Sequence, residues 1–430
     1  MIQHIQINDF IHLNYFGQPE IKKLELEITL HHGGSFFEKP NDRGKKHLME
    51  HCIATRISEM NKDEFKAYQF ANNMMVNAFT SPTMLGVSVA THIVKYREAL
   101  NIGLEMLLCP TFDQEVLDQE KEIVLREITE RRGSPDYKAW FLAMGELFEP
   151  DSLENHQTLG DSKMVAQTTV DDMIRLHKDN LTSSQIIINL SGPSGVDLEF
   201  LKERVNYWIN KPNSQYSAAI NKLPKVELNY NLGSKFLEGA KLEKASADYC
   251  HQECELQIFL PVSFGYEDLA TVKIFSELYF RFYGKVYDKL RDQKGYIYSM
   301  HSEFRPKMQQ IHIVMSCELE YVQPILDEIK LIFSDFEANF DEVKFNQFKE
   351  IMYLKTDLST DESEIMMDFV QYGLMNYNKV RDIFEFTKQI ESVTKEQVHT
   401  LFDSISKGWQ DLRLIVTSKN PEVENLELKI

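Results

Sequence analysis

Several things are missing from this chain. No uninterrupted apolar stretch approaches the ~18 residues of a membrane-spanning helix. The amino terminus, Met1-Ile2-Gln3-His4-Ile5-Gln6, has no basic segment followed by an apolar run, and no Arg-rich organelle presequence stands there. These absences argue against secretion, membrane insertion and organelle import, and set the expectation of a cytoplasmic protein. Cysteine is scarce. Cys52, Cys109, Cys250, Cys254 and Cys317 form an odd, scattered set, unlike a disulfide framework and suited to a reducing compartment. Cys250-His251-Gln252-Glu253-Cys254 lacks the spacing of a zinc ribbon or finger and a second cysteine pair, and reads as strand-edge residues. Positive charge is short as well: 47 Lys and Arg stand against 66 Asp and Glu, a net charge of −19. Such a chain repels phosphates, which excludes nucleic acid as a partner. An acidic surface or cavity that attracts basic peptides is compatible with it.

What is present is ordinary globular material: 43% apolar and 26% charged residues over 430 positions, too many for one core. Leu24, Leu26, Ile28 and Leu30 alternate with Glu25, Glu27 and Thr29, the pattern of a half-buried strand that Gly33-Gly34 ends. Asn41-Asp42-Arg43-Gly44 reads as a turn into a helix. Strands are expected at 85–90 and 186–190, and a long amphipathic helix from Gln114 to Arg132, closed by Gly133 and Pro135. A polar stretch from Lys211 to Gly239 follows. The element order then repeats: strands at 256–260, 311–315 and 412–416, and helices at 269–286, 322–336 and 341–355. The expectation is two domains, 1–215 and 239–430, joined by a linker at 216–238.

The chemistry centres on His47-Leu48-Met49-Glu50-His51. On a helix the two histidines share a face, and Glu50 lies one turn from His47. Two neutral imidazoles can hold one zinc, and a carboxylate beside them can take a proton from the water that the metal activates. This is the inverted order of the commoner H-E-x-x-H motif. Five residues are weak evidence, and the site needs a third ligand. Glu120 and Glu127 are two helical turns apart, so both point the same way. From pattern alone they are either metal-site carboxylates or a face salt-bridged to Lys121, Arg126, Arg131 and Arg132.

Taken together, four segments resemble the pitrilysin, insulin-degrading enzyme and mitochondrial processing peptidase family of inverted-motif zinc metallopeptidases, in a short, two-domain bacterial-type form. They are His47–His51 after a strand and glycine turn, Glu127 at 76 residues beyond His51 with Glu120 before it, Asn77-Ala78-Phe79-Thr80-Ser81, and Leu290-Arg291 with Tyr298 seven residues later. The resemblance implies an α+β fold of two similar α/β-sandwich domains, each an antiparallel-rich sheet packed on helices and related by an internal repeat. It implies one zinc per chain held by His47, His51 and Glu127, with Glu50 as general base and Glu120 supporting a ligand. Asn77 and Ala78 would line a strand to which an extended peptide adds, and Arg291 and Tyr298 would hold the scissile region and stabilise the oxyanion. Larger members close a chamber with four such domains. A two-domain chain carrying both motifs is therefore expected to act on peptides as a homodimer, or as a heterodimer with a related chain. A non-catalytic peptide-binding or scaffold subunit is the alternative. Lys46 stands where the family usually has a small residue, and Cys52 follows the second histidine without the family's Gly-Thr. Cys52 lies about 100° around the helix from His51 and reads as core. His31 and His32 read as exposed at a strand end, and Met74-Met75 as helix packing. His92, His156, His251, His301 and His312 read as ordinary histidines, and Asp361, Glu362 and Glu364 as a solvated face.

Overall fold

The computed structural model describes all residues except 1, 9, 19–20, 135–136, 138–139, 142–143, 146, 153–154, 212–240, 247–249, 251–252, 306–307, 360–362, 378, 380 and 430. The expected linker at 216–238, His251, Asp361 and Glu362 lie outside the described residues. The chain forms two compact units, neither contiguous in sequence. Residues 1–130, 156–229 and 359–382 make the first, and 131–155, 230–358 and 383–430 the second.

The first unit is built on a six-stranded sheet of β1 (Ile2–Asn8), β2 (Ile11–Gln18), β3 (Lys23–His31), β4 (Met75–Thr80), β5 (Met84–His92) and β6 (Gln185–Pro193), in the order β1-β2-β6-β3-β5-β4. Only the β2–β6 pair is parallel. Strand alternation divides the two faces. Leu24, Leu26, Ile28 and Leu30 of β3 and Leu85, Val87 and Val89 of β5 are fully buried in one apolar core. Helices α1 (Lys45–Thr55), α2 (Lys62–Ala71), α3 (Tyr96–Leu108) and α4 (Gln114–Gly133) contribute Leu48, Phe65, Leu104 and Val124 to it. The opposite face is polar, and the helix Ser363–Tyr377 packs on it against β3 and β6.

The second unit carries β7 (Leu242–Ser246), β8 (Cys254–Pro261), β9 (Ile297–Arg305), β10 (Gln310–Cys317) and β11 (Arg413–Ser418), in the order β7-β11-β8-β10-β9. Here the first strand pairs parallel with the last, and the remaining pairs are antiparallel. With β1 set aside, the first sheet follows the same order: first, last, second, fourth, third. The internal repeat expected from element order is thus a repeat of topology, and the α+β class with two helix-covered sheets holds. Residues 131–155 join the second unit because Met144, Leu147 and Phe148 pack on Phe259 and Ile415 of its sheet. The helix expected over 269–286 stops at Tyr279. Tyr283 takes a left-handed φ of 72°, and the chain resumes as Lys285–Tyr287 and a π-helical turn, Asp288–Gln293.

Candidate metal centre

The helix that carries the histidines is held at its start. Gly44 is its N-cap with φ 91°, and a side chain there would meet the Leu159 carbonyl oxygen at 2.7 Å. No cap side chain serves α1 from that position. Instead Glu38 accepts from the Gly44 N–H at 2.8 Å and the Lys46 N–H at 2.6 Å, placing a carboxylate at the positive end of the helix dipole. The Lys46 ammonium turns away from the site and donates to the Gly34 carbonyl at 2.9 Å. That contact accommodates a lysine at a buried position. Asp42, buried beside the same turn, takes Arg175 at 2.8 Å and Lys45 at 3.1 Å.

From this start α1 presents His47, Glu50 and His51 toward α4. The Nε2 atoms of His47 and His51 lie 3.7 and 3.6 Å from Oε2 of Glu127, and the two rings are nearly perpendicular. One ligand atom from each of the three residues falls within 4.8 Å of the others. A tetrahedral zinc with bonds of about 2.1 Å has ligand–ligand edges of roughly 3.4 Å. The donor set and its spacing therefore fit a zinc ion. Burial, with the neighbouring His51, lowers the His47 pKa to about 4, so that ring is a neutral ligand at physiological pH. Burial also opposes charge on His51, but the Glu120 hydrogen bond and the charges of Glu127 and Glu50 outweigh it and raise its pKa. Glu127 is the half-exposed member of the three, which leaves an open side.

Glu120 sits behind the cluster. Its Oε2 is 3.2 Å from His51 Nδ1, and its Oε1 accepts from Lys62 of α2 at 2.9 Å. Burial works against its charge, but His51 and Lys62 together hold its pKa below the usual carboxylate value. The pattern-level alternative of a salt-bridged face thus applies in part: Glu120 does have a lysine, but one from α2 rather than from its own helix. Burial raises the Glu50 pKa, against hydrogen bonds from the hydroxyl and backbone of Thr80. Thr80 ends β4, the edge strand of the sheet. On that strand Asn77 is exposed, whereas Ala78 is 4% exposed and belongs to the core, so only its backbone can meet a ligand.

Arg291 and Tyr298 lie in the second unit, around the start of β9. Arg291 donates to the Ile297 carbonyl at 2.7 Å, and Tyr298, half exposed, donates to Glu318 at 2.6 Å. In the repeated topology β9 holds the place of β4, and the helical segments before it, Asp288–Gln293 included, lie where α1 and α2 lie in the first unit. Cys52 is core, with its thiol pKa pushed up to about 12 by burial. Two local expectations are corrected. His31 is 1% exposed, because β3 runs through it, and Met75 opens β4 with 76% exposure instead of packing on a helix. Reasoning on the sequence missed Lys62 and Glu38 and gave Thr80 no role. The first two come from segments with no fixed spacing to the motif, whereas Thr80 lay inside a quoted segment.

A pair of histidines and a glutamate from two helices, with a glutamate between the histidines, defines an inverted-motif metallopeptidase type of site. Residues 25–141 match the family described as Insulinase (Peptidase family M16). Over 244 residues the chain is 23% identical to a Bacillus subtilis protein described as an uncharacterized zinc protease, YmxG. The match takes in 56% of this chain and 58% of that relative's length. A protease from Helicobacter pylori has the same fold, with a TM-score of 0.76 at 14% identity, covering 97% of this chain and 99% of that one. A Pseudomonas fluorescens structure described as an inactive M16 peptidase domain gives 0.73 at 16% identity, over 100% and 99% of the two chains. The Escherichia coli periplasmic protease PqqL gives 0.74 at 13% identity, over 97% of this chain and 45% of its own. These matches fit the family resemblance seen in the sequence. Among the described residues no helix is long and apolar enough to cross a membrane.

Proposed function

We propose that the chain is a zinc-dependent metalloendopeptidase that cleaves extended peptides in a closed chamber formed by two copies of itself. The observation that carries this is the convergence of His47, His51 and Glu127 on one point, with Glu50 on the same helix held by Thr80. The zinc protease description of the Bacillus relative supports the choice of metal. His47, His51 and Glu127 would hold one zinc per chain, and Glu120 would orient His51. Bound there, the metal supplies Lewis acidity toward the scissile carbonyl and lowers the pKa of the attacking water. Glu50 takes the proton from that water and passes it to the leaving amine. An extended peptide pairs with the open edge of β4 beside Asn77 and Ala78. Arg291 and Tyr298 of the second copy clamp the scissile region and stabilise the oxyanion. The five cysteines form no disulfide, in keeping with a cytoplasmic, reducing location.

Purified protein should bind about one zinc per chain and cleave a quenched fluorogenic peptide until a chelator is added. Glu50→Gln should keep the zinc and lose activity by about 10²–10⁴-fold. Full activity in Glu50→Gln overturns the mechanism. Zinc binding without cleavage by the parent chain points to the other reading, a peptide-binding or scaffold subunit, which the inactive structural neighbour keeps in view.

A further inference from the structure

On the face of the first sheet opposite its core lies a cavity of about 640 Å³. Its floor is β5, where Ser88 and Ala90 are small. Asn77 of the edge strand stands on one side, Glu25 and Glu27 of β3 on the other, and Asp368 of the helix Ser363–Tyr377 above. Strand register sets Asn77, Ser88 and Glu27 in one row. The row continues inward through Asn189 and Asn14 to His4.

The two parts of this row differ. The inner part is satisfied: His4 Nδ1 and Asn14 Oδ1 are 2.7 Å apart, Asn14 donates to Asn189 at 2.8 Å, and Asn189 donates to Gln371 at 3.0 Å. The part toward the cavity is not. Oε1 of Glu27 is buried and has no hydrogen-bond partner among the described residues. A buried carboxylate oxygen without a donor is costly, and the negative Asp368 nearby adds to the cost, so burial and Asp368 raise the Glu27 pKa to about 7. Glu25 is already paired with Lys23. Lys23, the lysine of the lining, is thus held by Glu25, and Oε1 of Glu27 is left without a donor among the described residues.

Its position says what can supply one. A peptide added to β4 lies three strand spacings, about 14 Å, from β3. An arginine or lysine side chain of about 6–7 Å, a glutamate of about 4 Å and one hydrogen bond of about 3 Å span that distance along the cavity floor. Shorter side chains do not reach. We propose that this cavity is a specificity subsite for an arginine or lysine side chain of the peptide substrate, with Glu27 and Asp368 as its anionic partners. The inference rests on the peptidase reading above and on strand addition at β4.

The test uses zinc-loaded Glu50→Gln protein and a set of fluorescent decapeptides. Each peptide carries arginine, lysine or the neutral isostere citrulline at one position. At one position arginine and lysine should bind at least about tenfold tighter than citrulline by anisotropy. The preference should vanish in a Glu27→Gln background and weaken in Asp368→Asn, each checked for folding by circular dichroism and for zinc content. In the active enzyme the same preference should appear mainly in KM. Equal binding of arginine and citrulline at every position overturns the subsite, as does a preference untouched by Glu27→Gln; Glu27 would then be a protonated structural residue. Cleavage of all peptides without charge preference leaves the peptidase reading standing. Failure to bind or cleave any peptide removes both.

Discussion

Glu120 and Glu127 lie on one helix, two turns apart, yet the structure gives them different surroundings. Glu127 closes the histidine pair, whereas Glu120 bridges His51 and Lys62. Removing Lys62's charge by Lys62→Met should free Glu120 and weaken zinc affinity by about 10–100-fold, read by competition with a metallochromic chelator. Unchanged affinity would show that the bridge is incidental. Glu127→Gln, which removes a proposed direct ligand, should weaken it further. Glu27 makes a second residue-level prediction. Its folded pKa lies above the unfolded value of 4.5, at about 7, with Asp368 and the Lys23–Glu25 pair as the charged neighbours. Between those two values the folded chain holds a proton that the unfolded chain has released. Stability must therefore fall as pH rises through that window and level off above it. Glu27→Gln should abolish this fall, and near pH 8 the variant should be more stable by on the order of 2 kcal/mol in urea unfolding. Parallel stability–pH curves for the two proteins would contradict the shift.

At the scale of elements, the site depends on where α1 begins. Glu38 supplies the cap that Gly44 cannot, and Gly44 supplies the left-handed φ that lets the chain turn past Leu159. Glu38→Ala should cost about 1 kcal/mol of stability for the lost cap. Gly44→Ala should cost more than the roughly 1–2 kcal/mol of left-handed strain alone, because its methyl group meets backbone. Denaturant unfolding measures both, and a neutral Glu38→Ala would show that the helix start is held by the Asp42–Arg175 pair instead. The elements were partly legible in advance. The alternation of β3, the length of α4 and the strands β8 and β10 follow from periodicities of two and 3.6 residues. Edges were harder. His31 was expected to be exposed because a glycine pair follows it, but neighbours on both sides keep it in the sheet. The helix Ser363–Tyr377 had no expected place, since only tertiary contact assigns it to the first unit.

For the whole molecule, the proposal that Arg291 and Tyr298 serve the partner's zinc has a direct test. Glu50→Gln and Arg291→Ala chains should each be nearly inactive as homodimers. Mixed after dissociation, half of the dimers would be hybrids with one complete site, and activity should return to about a quarter of the parent value. No recovery, with hybrid dimers demonstrated by mass, would place the clamp and zinc of one active site in the same chain. Local spacing determined the histidine pair with its glutamate on one helix, the alternation of the central strands and the repeat of element order, because helix and strand periodicity act over a few residues, whereas Glu127 was singled out only by the family resemblance. The tertiary structure alone decided that Lys62, Thr80 and Glu38 attend the metal-site residues and that residues 131–155 belong to the second sheet. It alone decided that Glu27 lines a cavity with a buried carboxylate oxygen that no described residue hydrogen-bonds. Each of these joins segments whose separation in sequence carries no fixed pattern. The hydrogen bond or charge that links them exists only once the sheet order has brought them together.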